Sequence, residues 1–219
     1  MQDARDVRAV GFLDLAGYTS LTDVHGDEAA ADVAERFCAV VQEALAPGDV
    51  LVKSIGDAVL VHAADEDGLA ELSARVCTRL DAEPAFPVLR VGLHCGPVVL
   101  RAGDVFGGTV NLAARVAAQA QGGQVLATAS FADGLAAGRW PVRHLGPTHI
   151  KGLPAKVDVV ELDLCQHLDD RPVDPVCGMA LTAGASIRVV LDGEEVAFCS
   201  RDCLVRWAAG LGDQRDLAR

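Results

Sequence analysis

Residues 7–15 read Val-Arg-Ala-Val-Gly-Phe-Leu-Asp-Leu, and this stretch defines the first element of the fold. Its apolar residues predict a mostly buried strand, which Gly17 ends. The carboxylate of Asp14 stands near the end of this strand. Because an isolated carboxylate is unfavourable to bury unless it is paired or bound to a cation, Asp14 is a candidate functional residue. Taken alone, Asp14 is also compatible with an ordinary strand-end cap.

The chain that follows alternates helices with short strands. Two β-rich runs, 50–55 and 58–63, are separated only by Gly56-Asp57, which is typical of a tight hairpin turn. Apolar periodicity predicts the other elements, which are helices over 27–46, 66–82 and 109–120 and a strand over 88–95. The order strand, helix, hairpin, helix, strand predicts an α+β fold, an antiparallel-rich sheet with helices on one face.

Composition and charge narrow the function classes. The 219 residues are 51% hydrophobic and 23% charged, which allows a real core and excludes a disordered chain. The net charge is −12 with no basic stripe to offset it, which disfavours nucleic-acid binding. No apolar run approaches the roughly 18–20 residues of a membrane helix, and the charged N-terminus lacks the apolar stretch of a signal peptide. We therefore predict a soluble cytoplasmic protein with neither nucleic-acid nor membrane partners.

The seven cysteines divide the chain unevenly. Three stand singly in apolar surroundings and are predicted to be small buried hydrophobes, namely Cys38, Cys77 and Cys95. Four crowd into the last quarter, namely Cys165, Cys177, Cys199 and Cys203. A reducing compartment disfavours disulfides, which leaves packing, catalysis or metal binding as their uses. The polar stretch 165–173 ends in Val after a Pro and predicts a linker between a larger domain, 1–164, and a small one, 174–219.

Several residues of the larger domain suggest a site for a phosphorylated ligand. Asp57 lies at the hairpin tip, and two carboxylates from adjacent strand ends can hold Mg²⁺. Lys53 is one of three lysines against sixteen arginines, and its ammonium group can donate to a ring nitrogen. Asn111 and Arg115 share a face of the third predicted helix and could both point at a phosphate. The ordinary alternatives are a turn-forming Asp, a chance Lys and a solvated Arg.

Five stretches in order along the chain favour the functional alternative. They are Phe12-Leu-Asp-Leu-Ala-Gly-Tyr-Thr19, Lys53-Ser-Ile-Gly-Asp57, Val91-Gly-Leu-His-Cys-Gly-Pro97, Asp104-Val-Phe-Gly-Gly-Thr-Val-Asn111-Leu-Ala-Ala-Arg115 and Lys151-Gly-Leu-Pro154. Their order and spacing resemble the signature motifs of class III adenylate/guanylate cyclase catalytic domains. The resemblance covers about residues 7–163 and implies the ferredoxin-like βαββαβ core of that family.

The resemblance implies a role for each matching residue on the phosphate side of the substrate. Asp14 and Asp57, with the carbonyl of Leu15, would bind two Mg²⁺ or Mn²⁺ ions per active site. Four residues would contact the triphosphate, namely Gly17, Tyr18, Thr19 and Lys151.

The remaining matches concern the base, the ribose and the reaction. Lys53 and Asp104 would read adenine, because guanylate cyclases of this family carry Glu and Cys or Ser at these positions. Asn111 would orient the ribose, and Arg115 would stabilise charge at the α-phosphate. The resemblance implies an adenylate cyclase that makes cyclic AMP and pyrophosphate from ATP. It would act as a homodimer whose two composite sites take Asn111 and Arg115 from the partner subunit. The alternatives are a guanylate cyclase and a non-catalytic signalling dimer that responds to nucleotide or metal.

The C-terminal cysteines form a second constellation, with Cys177, Cys199 and Cys203 spaced as C-x21-C-x3-C. Thiolates at this spacing can converge on Zn²⁺ or Cu⁺, and the last two can project from one helical turn. The sequences Asp174-Pro-Val-Cys-Gly-Met179 and Phe198-Cys-Ser-Arg-Asp-Cys203 resemble YHS domains, a family of small metal-handling cysteine domains, over about 174–208.

The sequence does not identify the fourth ligand of this cysteine site. Cys165, His167, water or a group from a partner could supply it. The other histidines show no metal-binding spacing in the sequence, including His25, His62, His144 and His149. The site could be structural zinc, a metal or redox sensor that modulates the cyclase, or a binding module without an ion.

Overall fold

The computed structural model describes residues 6–83, 86–165, 171–181, 186–191 and 193–216. The strands are β1 (Asp6–Leu15), β2 (Val50–Ile55), β3 (Ala58–Ala63), β4 (Leu89–Arg101), β5 (Asp104–Phe106), β6 (Val125–Thr128), β7 (Val142–Thr148), β8 (Val157–Leu162), β9 (Ile187–Leu191) and β10 (Glu194–Phe198). The helices are α1 (Tyr18–His25), α2 (Asp27–Ala44), α3 (Glu66–Asp81), α4 (Gly108–Ala117), α5 (Ala129–Ala132) and α6 (Arg201–Asp216). None of these described helices has the length and apolar composition that a membrane crossing requires.

One large mixed sheet forms the body of the protein, with strand order β2-β3-β1-β4-β6-β8-β7 and with β5 paired to the outer part of β4. The β4–β6 pair is parallel, and the other pairs of this sheet are antiparallel. The α+β class and the antiparallel-rich sheet predicted from the sequence are confirmed. The predicted hairpin is also confirmed, since β2 and β3 occupy 50–55 and 58–63.

The alternation of β1 determines which face each of its side chains occupies. Leu13 and Leu15 are buried on one face, where they pack with residues of α2 and α3. Val10 and Phe12 point to the opposite face and pack with Ala113 of α4. The expectation of helices on one face therefore holds for α2 and α3 and is wrong for α4.

A glycine explains why α4 can cover that opposite face. A Cβ atom on Gly92 of β4 would lie 2.1 Å from the backbone nitrogen of Ala117 and 2.6 Å from the carbonyl oxygen of Ala113. Because no larger residue fits this approach, the absence of a side chain at 92 lets the helix backbone rest directly on the sheet.

Two local features differ from the sequence-based expectation. Gly17 adopts φ 79°, so the chain turns from β1 directly into α1, a helix that the apolar periodicity does not reveal. The strand expected over 88–95 continues to Arg101 and returns as β5. The turn between them passes through Ala102 and Gly103, both with positive φ.

The C-terminal segment packs on α1 and α2. It contains the β9–β10 hairpin and α6, with the rings of Phe198 and Trp207 5.2 Å apart. Leu21 of α1 and Ala30 of α2 share one buried cluster with Cys177, Phe198 and Cys203. Residues 166–170, most of the predicted linker, lie outside the described residues.

Cys77 and Cys165 form a disulfide, with Cα atoms 5.4 Å apart. The bond joins α3 to the chain just after β8. The expectation that this chain uses no disulfide is therefore wrong for this pair, and so is the role of a simple buried hydrophobe for Cys77. The two residues are 88 apart in sequence, and only the folded core brings them together. Cys165 is thereby removed from the candidate metal ligands.

Candidate active site

The two predicted metal-binding carboxylates lie side by side at one end of the sheet. Asp14 pairs with Ala58 in the β1–β3 register, and Asp57 immediately precedes Ala58 in the hairpin turn. The amide of Leu15 donates a 3.2 Å hydrogen bond to the carbonyl of Asp57. By strand alternation Asp14 points to the face that carries α4. The structure thus brings Asp14, Leu15 and Asp57 together, as the resemblance implies.

The environment of Asp14 makes its ionised form less favourable than in water when no cation is present. Burial raises its pKa to about 6, and the neighbouring Asp57 carboxylate adds to the rise. Arg90 opposes this shift. Two crowded carboxylates, one of them largely desolvated, are a fitting donor set for divalent cations that prefer oxygen ligands.

Arg90 is a residue of this site that the sequence does not reveal. Its Nε donates a 2.6 Å hydrogen bond to Asp14 Oδ2. The two residues face each other across the β1–β4 pair, 76 positions apart in the chain. Because only the strand register connects them, no local motif could have indicated the contact.

Three of the four residues predicted to contact the triphosphate, Gly17, Tyr18 and Thr19, lie at the start of α1. The helix begins at Tyr18, directly after Gly17, so the amides of its first turn have no partner within the helix and can donate to an anion. The hydroxyl of Tyr18 donates to the carbonyl of Ala30 at 2.9 Å and ties α1 to α2. Thr19 is exposed at the helix start.

Lys53 and Asp104 form a second group of the site. Lys53 Nζ lies 2.6 Å from Asp104 Oδ2, and the same ammonium group lies 5.9 Å from the centre of the Phe106 ring. A register shift between Leu51 and Lys53 brings Lys53 opposite Leu60, whose side chain packs on the α4 face. The hydrogen bond from Lys53 lowers the pKa of Asp104, so the carboxylate is an acceptor.

The residues on α4 form a third group with the Lys151 loop. Arg115 Nη1 donates a 2.7 Å hydrogen bond to the carbonyl of Gly152, the neighbour of Lys151. Asn111 is exposed one turn earlier on the same helix. Among the described residues, no side-chain hydrogen bond or ion pair joins one of these groups to another, and the third group is held by the bond from Arg115 to a main-chain carbonyl.

The three predicted cysteine ligands also meet. Cys199 Sγ lies 3.5 Å from Cys177 Sγ and 3.6 Å from Cys203 Sγ. The hydrogen bond from Cys177 lowers the pKa of the Cys199 thiol to about 6. The expectation that the last two cysteines share a helical turn is wrong, because α6 begins at Arg201 and Cys199 lies in the bend before it.

His25 is the residue of this cluster that the sequence missed. Its Nε2 lies 3.5 Å from Cys199 Sγ, although the two residues are 174 positions apart. With the three cysteines it forms a set of four potential ligand atoms within 4.8 Å of one another. The sequence contains no spacing signal for His25, because the histidine belongs to α1 of the larger domain. His167, the other histidine considered, lies outside the described residues.

Comparisons with known proteins agree with this geometry. The family model described as "Adenylate and Guanylate cyclase catalytic domain" matches residues 2–163. An adenylate cyclase of Streptomyces coelicolor is 40% identical over 128 residues, which covers 58% of this chain and 34% of that protein. A pH-sensitive adenylate cyclase of Mycobacterium tuberculosis is 34% identical over 158 residues, which covers 70% of this chain and 40% of that protein. The chain therefore spans well under half the length of these curated relatives.

Solved structures show the same fold. A Trypanosoma brucei adenylate cyclase in its monomeric state matches with a TM-score of 0.66 and 19% identity, covering 75% of this chain and 93% of that one. An adenylyl cyclase of P. aeruginosa matches with a TM-score of 0.62 and 19% identity, covering 72% and 94%. Together with the family match over residues 2–163, these observations show that the chain belongs to the adenylate and guanylate cyclase catalytic domain family.

Proposed function

We propose that this chain is an adenylate cyclase that converts ATP into 3′,5′-cyclic AMP and pyrophosphate in a homodimer. The observation that carries the proposal is the contact between Lys53 and Asp104, whose donor and acceptor atoms lie 2.6 Å apart. Family membership supports a nucleotide substrate, and curated relatives named adenylate cyclase support ATP.

The chemistry of this pair favours adenine over guanine. Adenine presents a ring acceptor, N1, next to an exocyclic amine donor. A lysine ammonium donates to the first, and an aspartate accepts from the second. Guanine presents the reverse order, an N1–H donor next to a carbonyl acceptor. A guanine at this site would leave polar groups without partners, which is strongly unfavourable.

Asp14, Asp57 and the carbonyl of Leu15 would hold the two divalent ions, Mg²⁺ or Mn²⁺, that the family implies. The fit rests on the crowding of two carboxylates and on the desolvation that raises the pKa of Asp14 to about 6. When bound, such ions lower the pKa of the ribose 3′-hydroxyl and neutralise charge on the phosphates.

The chain's own residues would bind and orient the phosphates. The amides at Gly17, Tyr18 and Thr19 would donate to the triphosphate at a helix N-terminus. Asn111 positions the ribose, and Lys151 adds a cation to the triphosphate. The 3′-oxygen forms a bond to the α-phosphorus, the bond to the pyrophosphate oxygen breaks, and the hydroxyl proton leaves to solvent. Arg115 donates to the α-phosphate oxygens as negative charge builds there.

Two observations support a composite site in a dimer. Among the described residues, no side-chain hydrogen bond or ion pair connects Arg115 of a single chain with Asp14 or Lys53 of the same chain. Large apolar side chains on β2, β4 and β5 are also 41–50% exposed beside the Lys53–Asp104 pair, namely Ile55, Val99, Leu100 and Phe106. Val99 and Phe106 are cross-strand partners on one face, and exposed apolar side chains that lie together are typical of an interface. A second copy of the chain is the proposed partner, and it would supply Asn111 and Arg115.

The chain's organisation completes the proposal. We assign residues 1–164 to the catalytic domain, 165–173 to a linker and 174–219 to a YHS-like domain. Cys177, Cys199 and Cys203 would bind Zn²⁺ or Cu⁺ and stabilise or modulate the catalytic domain. A cytoplasmic location would supply ATP to this site.

The test is a turnover assay on the full chain with ATP or GTP, each with Mg²⁺ or Mn²⁺. We expect cyclic AMP, with a rate that rises faster than linearly with protein concentration at low concentration. Asp14→Ala and Arg115→Ala should each be folded and inactive. Normal turnover in either variant, or a folded dimer silent with both nucleotides, would contradict the proposal.

Mixing the two inactive variants tests the composite site directly. If Asp14 and Arg115 of one site come from different chains, half of the dimers in an equimolar mixture pair the two variants, and each of these carries one intact site. The mixture should then regain about a quarter of wild-type activity. A mixture that stays inactive while subunits exchange would show that each chain carries both residues of its own site.

A further inference from the structure

Four of the six separations among the ligand atoms of His25 and the three cysteines are close to those of a tetrahedral metal site, and all six are within 4.8 Å. Zinc bonds of about 2.3 Å to sulfur and about 2.0 Å to nitrogen place ligand atoms about 3.5–3.8 Å apart at tetrahedral angles. The observed separations around Cys199 Sγ are 3.5 Å to Cys177 Sγ, 3.6 Å to Cys203 Sγ and 3.5 Å to His25 Nε2. Cys203 Sγ lies 3.9 Å from His25 Nε2.

The surroundings of these cysteines favour metal-bound thiolates over unbound thiols. The side chains of Cys177 and Cys203 are fully buried, although the sulfurs are too far apart for disulfides. Without an ion, the two buried thiols of Cys177 and Cys203 and the half-buried Cys199 and His25 would have only weak hydrogen bonds to one another. A bound Zn²⁺ satisfies all four at once.

Asp174 holds the two cysteine-bearing loops in this geometry. Its side chain is 1% exposed, and Oδ1 accepts from the amides of Val176 and Cys177 at 2.8 and 3.3 Å. Oδ2 accepts from the amide of Cys199 at 2.8 Å. The carboxylate thereby fixes the backbone on both sides of the cluster, as supporting residues around metal ligands commonly do.

His25 comes from the catalytic domain, so the cluster spans two parts of the chain. It is the last residue of α1. Two residues before it, Asp23 forms an ion pair with Arg206 of α6, with 2.8 Å between Asp23 Oδ2 and Arg206 Nη2. Leu21, one turn earlier in α1, is buried against Cys177 and Phe198. The same helix that begins at the predicted triphosphate loop thus ends at the cysteine cluster.

The loop that carries Cys177 and Gly178 (the cysteine loop) also contacts the turn at residues 16–19, the predicted triphosphate loop, through main-chain atoms. The carbonyl of Gly178 accepts a 2.9 Å hydrogen bond from the amide of Val88, whose own carbonyl accepts from the amide of Ala16 at 2.9 Å. A Cβ atom on Gly178 would lie 2.2 Å from the carbonyl oxygen of Ala16, and one on Gly17 would lie 2.8 Å from Cys177. Both ends of α1 are therefore in contact with the C-terminal segment.

We propose that His25 is the fourth ligand of a Cys₃His zinc site, and that the bound ion fixes α1 and its triphosphate loop to the C-terminal segment. A closed set of four protein ligands indicates a structural type of site. The proposal rests on the three-cysteine metal site and the triphosphate loop of the function proposed above, but its tests need no cyclase activity.

Metal binding to the full chain tests the ligand assignment. The reduced, metal-free protein is titrated with Zn²⁺ in the presence of excess Mg²⁺, which keeps the carboxylates of the active site occupied, and with Co²⁺ for its visible spectrum. We expect one Zn²⁺ per chain and the intense absorption of tetrahedral cobalt thiolate. His25→Ala should weaken Zn²⁺ binding by about 10²-fold or more, because loss of even a supporting residue weakens binding by 10–100-fold.

Two further variants serve as controls for the ligand assignment. His25→Cys should retain one tight Zn²⁺ and shift the cobalt spectrum towards four thiolates, whereas His144→Ala, on exposed β7, should match the wild type. The ligand assignment is overturned if His25→Ala keeps wild-type affinity and spectrum. It is also overturned if the wild type takes up Cu⁺ but no Zn²⁺.

Amide hydrogen exchange tests the connection to the loop. Zinc should slow exchange in the peptides that cover residues 16–25 in the wild type, and His25→Ala should show no such response. A peptide from β7 and β8, remote from the cluster in the sheet order, serves as the internal control. Equal exchange over residues 16–25 with and without zinc would overturn the proposed fixation of α1.

Discussion

Lys53 and Asp104 are bonded to each other across β2 and β5, with 2.6 Å between ammonium nitrogen and carboxylate oxygen. Both side chains are partly exposed, at 42% and 28%. A pair this accessible to water contributes little to stability. We therefore infer that the pair serves recognition and not stability, because it holds a donor and an acceptor side by side where a base can bind.

Reversing this arrangement should change the preferred base. In the double variant Lys53→Glu with Asp104→Cys, we expect kcat/KM for ATP to fall by about 10²-fold or more while GTP turnover rises, because two charged hydrogen bonds to adenine are lost. The measurement is steady-state turnover with each nucleotide. Retained ATP preference would show that another part of the site reads the base.

Asp14→Asn should stabilise the protein while it removes activity. A carboxyl group whose pKa is raised to about 6 in the fold destabilises it once ionised, so removing the charge should add about 1–3 kcal/mol. The gain should be absent below the unfolded pKa near 4, grow as the pH rises to about 6, and stay constant above it. Urea unfolding at pH 5 and pH 8 without added Mg²⁺ or Mn²⁺ measures the effect. An equal gain at both pH values would contradict this electrostatic origin.

Arg90→Gln should lower the divalent-ion concentration that turnover requires. The Arg90 guanidinium donates to Asp14 at 2.6 Å and competes with a cation for the same oxygen. At pH 8, we expect a several-fold lower half-saturating Mn²⁺ concentration. Arg143→Gln, which removes an arginine paired with Glu161 on the edge strand β7, is the matched control. An unchanged or higher Mn²⁺ requirement in Arg90→Gln would mean that the pair persists when the ion binds.

Zinc removal should weaken ATP binding if the ion fixes the triphosphate loop. We expect the KM for ATP to rise by about fivefold or more in the zinc-free wild type, a coupling within the usual range between sites. His25→Ala should show the higher KM already and no response to zinc. The assay compares both proteins with and without added Zn²⁺ under reducing conditions. A zinc response of equal size in His25→Ala would exclude His25 as the connection.

Gly92→Ala should destabilise the fold, because the new methyl group would lie 2.1 Å from the backbone of α4. We expect a loss of about 1–3 kcal/mol or more in the free energy of unfolding. Gly108→Ala, in the first turn of α4 with open space around it, is the control and should be neutral or slightly stabilising. Equal stabilities of the two variants would show that α4 can shift away from the sheet.

Local sequence patterns predicted the elements whose signals are short-range. The hairpin is an example, since Gly56-Asp57 defines the turn and the flanking runs define both strands. Motif spacing likewise indicated the candidate residues of the catalytic domain. The pattern gave no indication of α1, because its apolar positions pack against a C-terminal segment far along the chain rather than forming a clear stripe of their own.

The contacts that sequence reasoning missed are all long-range. Arg90 meets Asp14 through strand register, and His25 meets Cys199 across 174 positions. Cys77 meets Cys165 across 88 positions. No spacing in the sequence predicts these pairs, because the residues approach one another only when the whole domain is folded.

The link between the cysteine loop and Ala16 runs through backbone atoms at Val88 and Gly178. An alanine scan removes side chains, so it would leave these hydrogen bonds intact and would detect no effect of this region on the connection. Even drastic divergence of the surrounding side chains could preserve the connection, provided that positions 17 and 178 remain glycine. Mutagenesis meant to uncouple the two parts of this protein therefore has to add atoms at its glycines instead of removing them elsewhere.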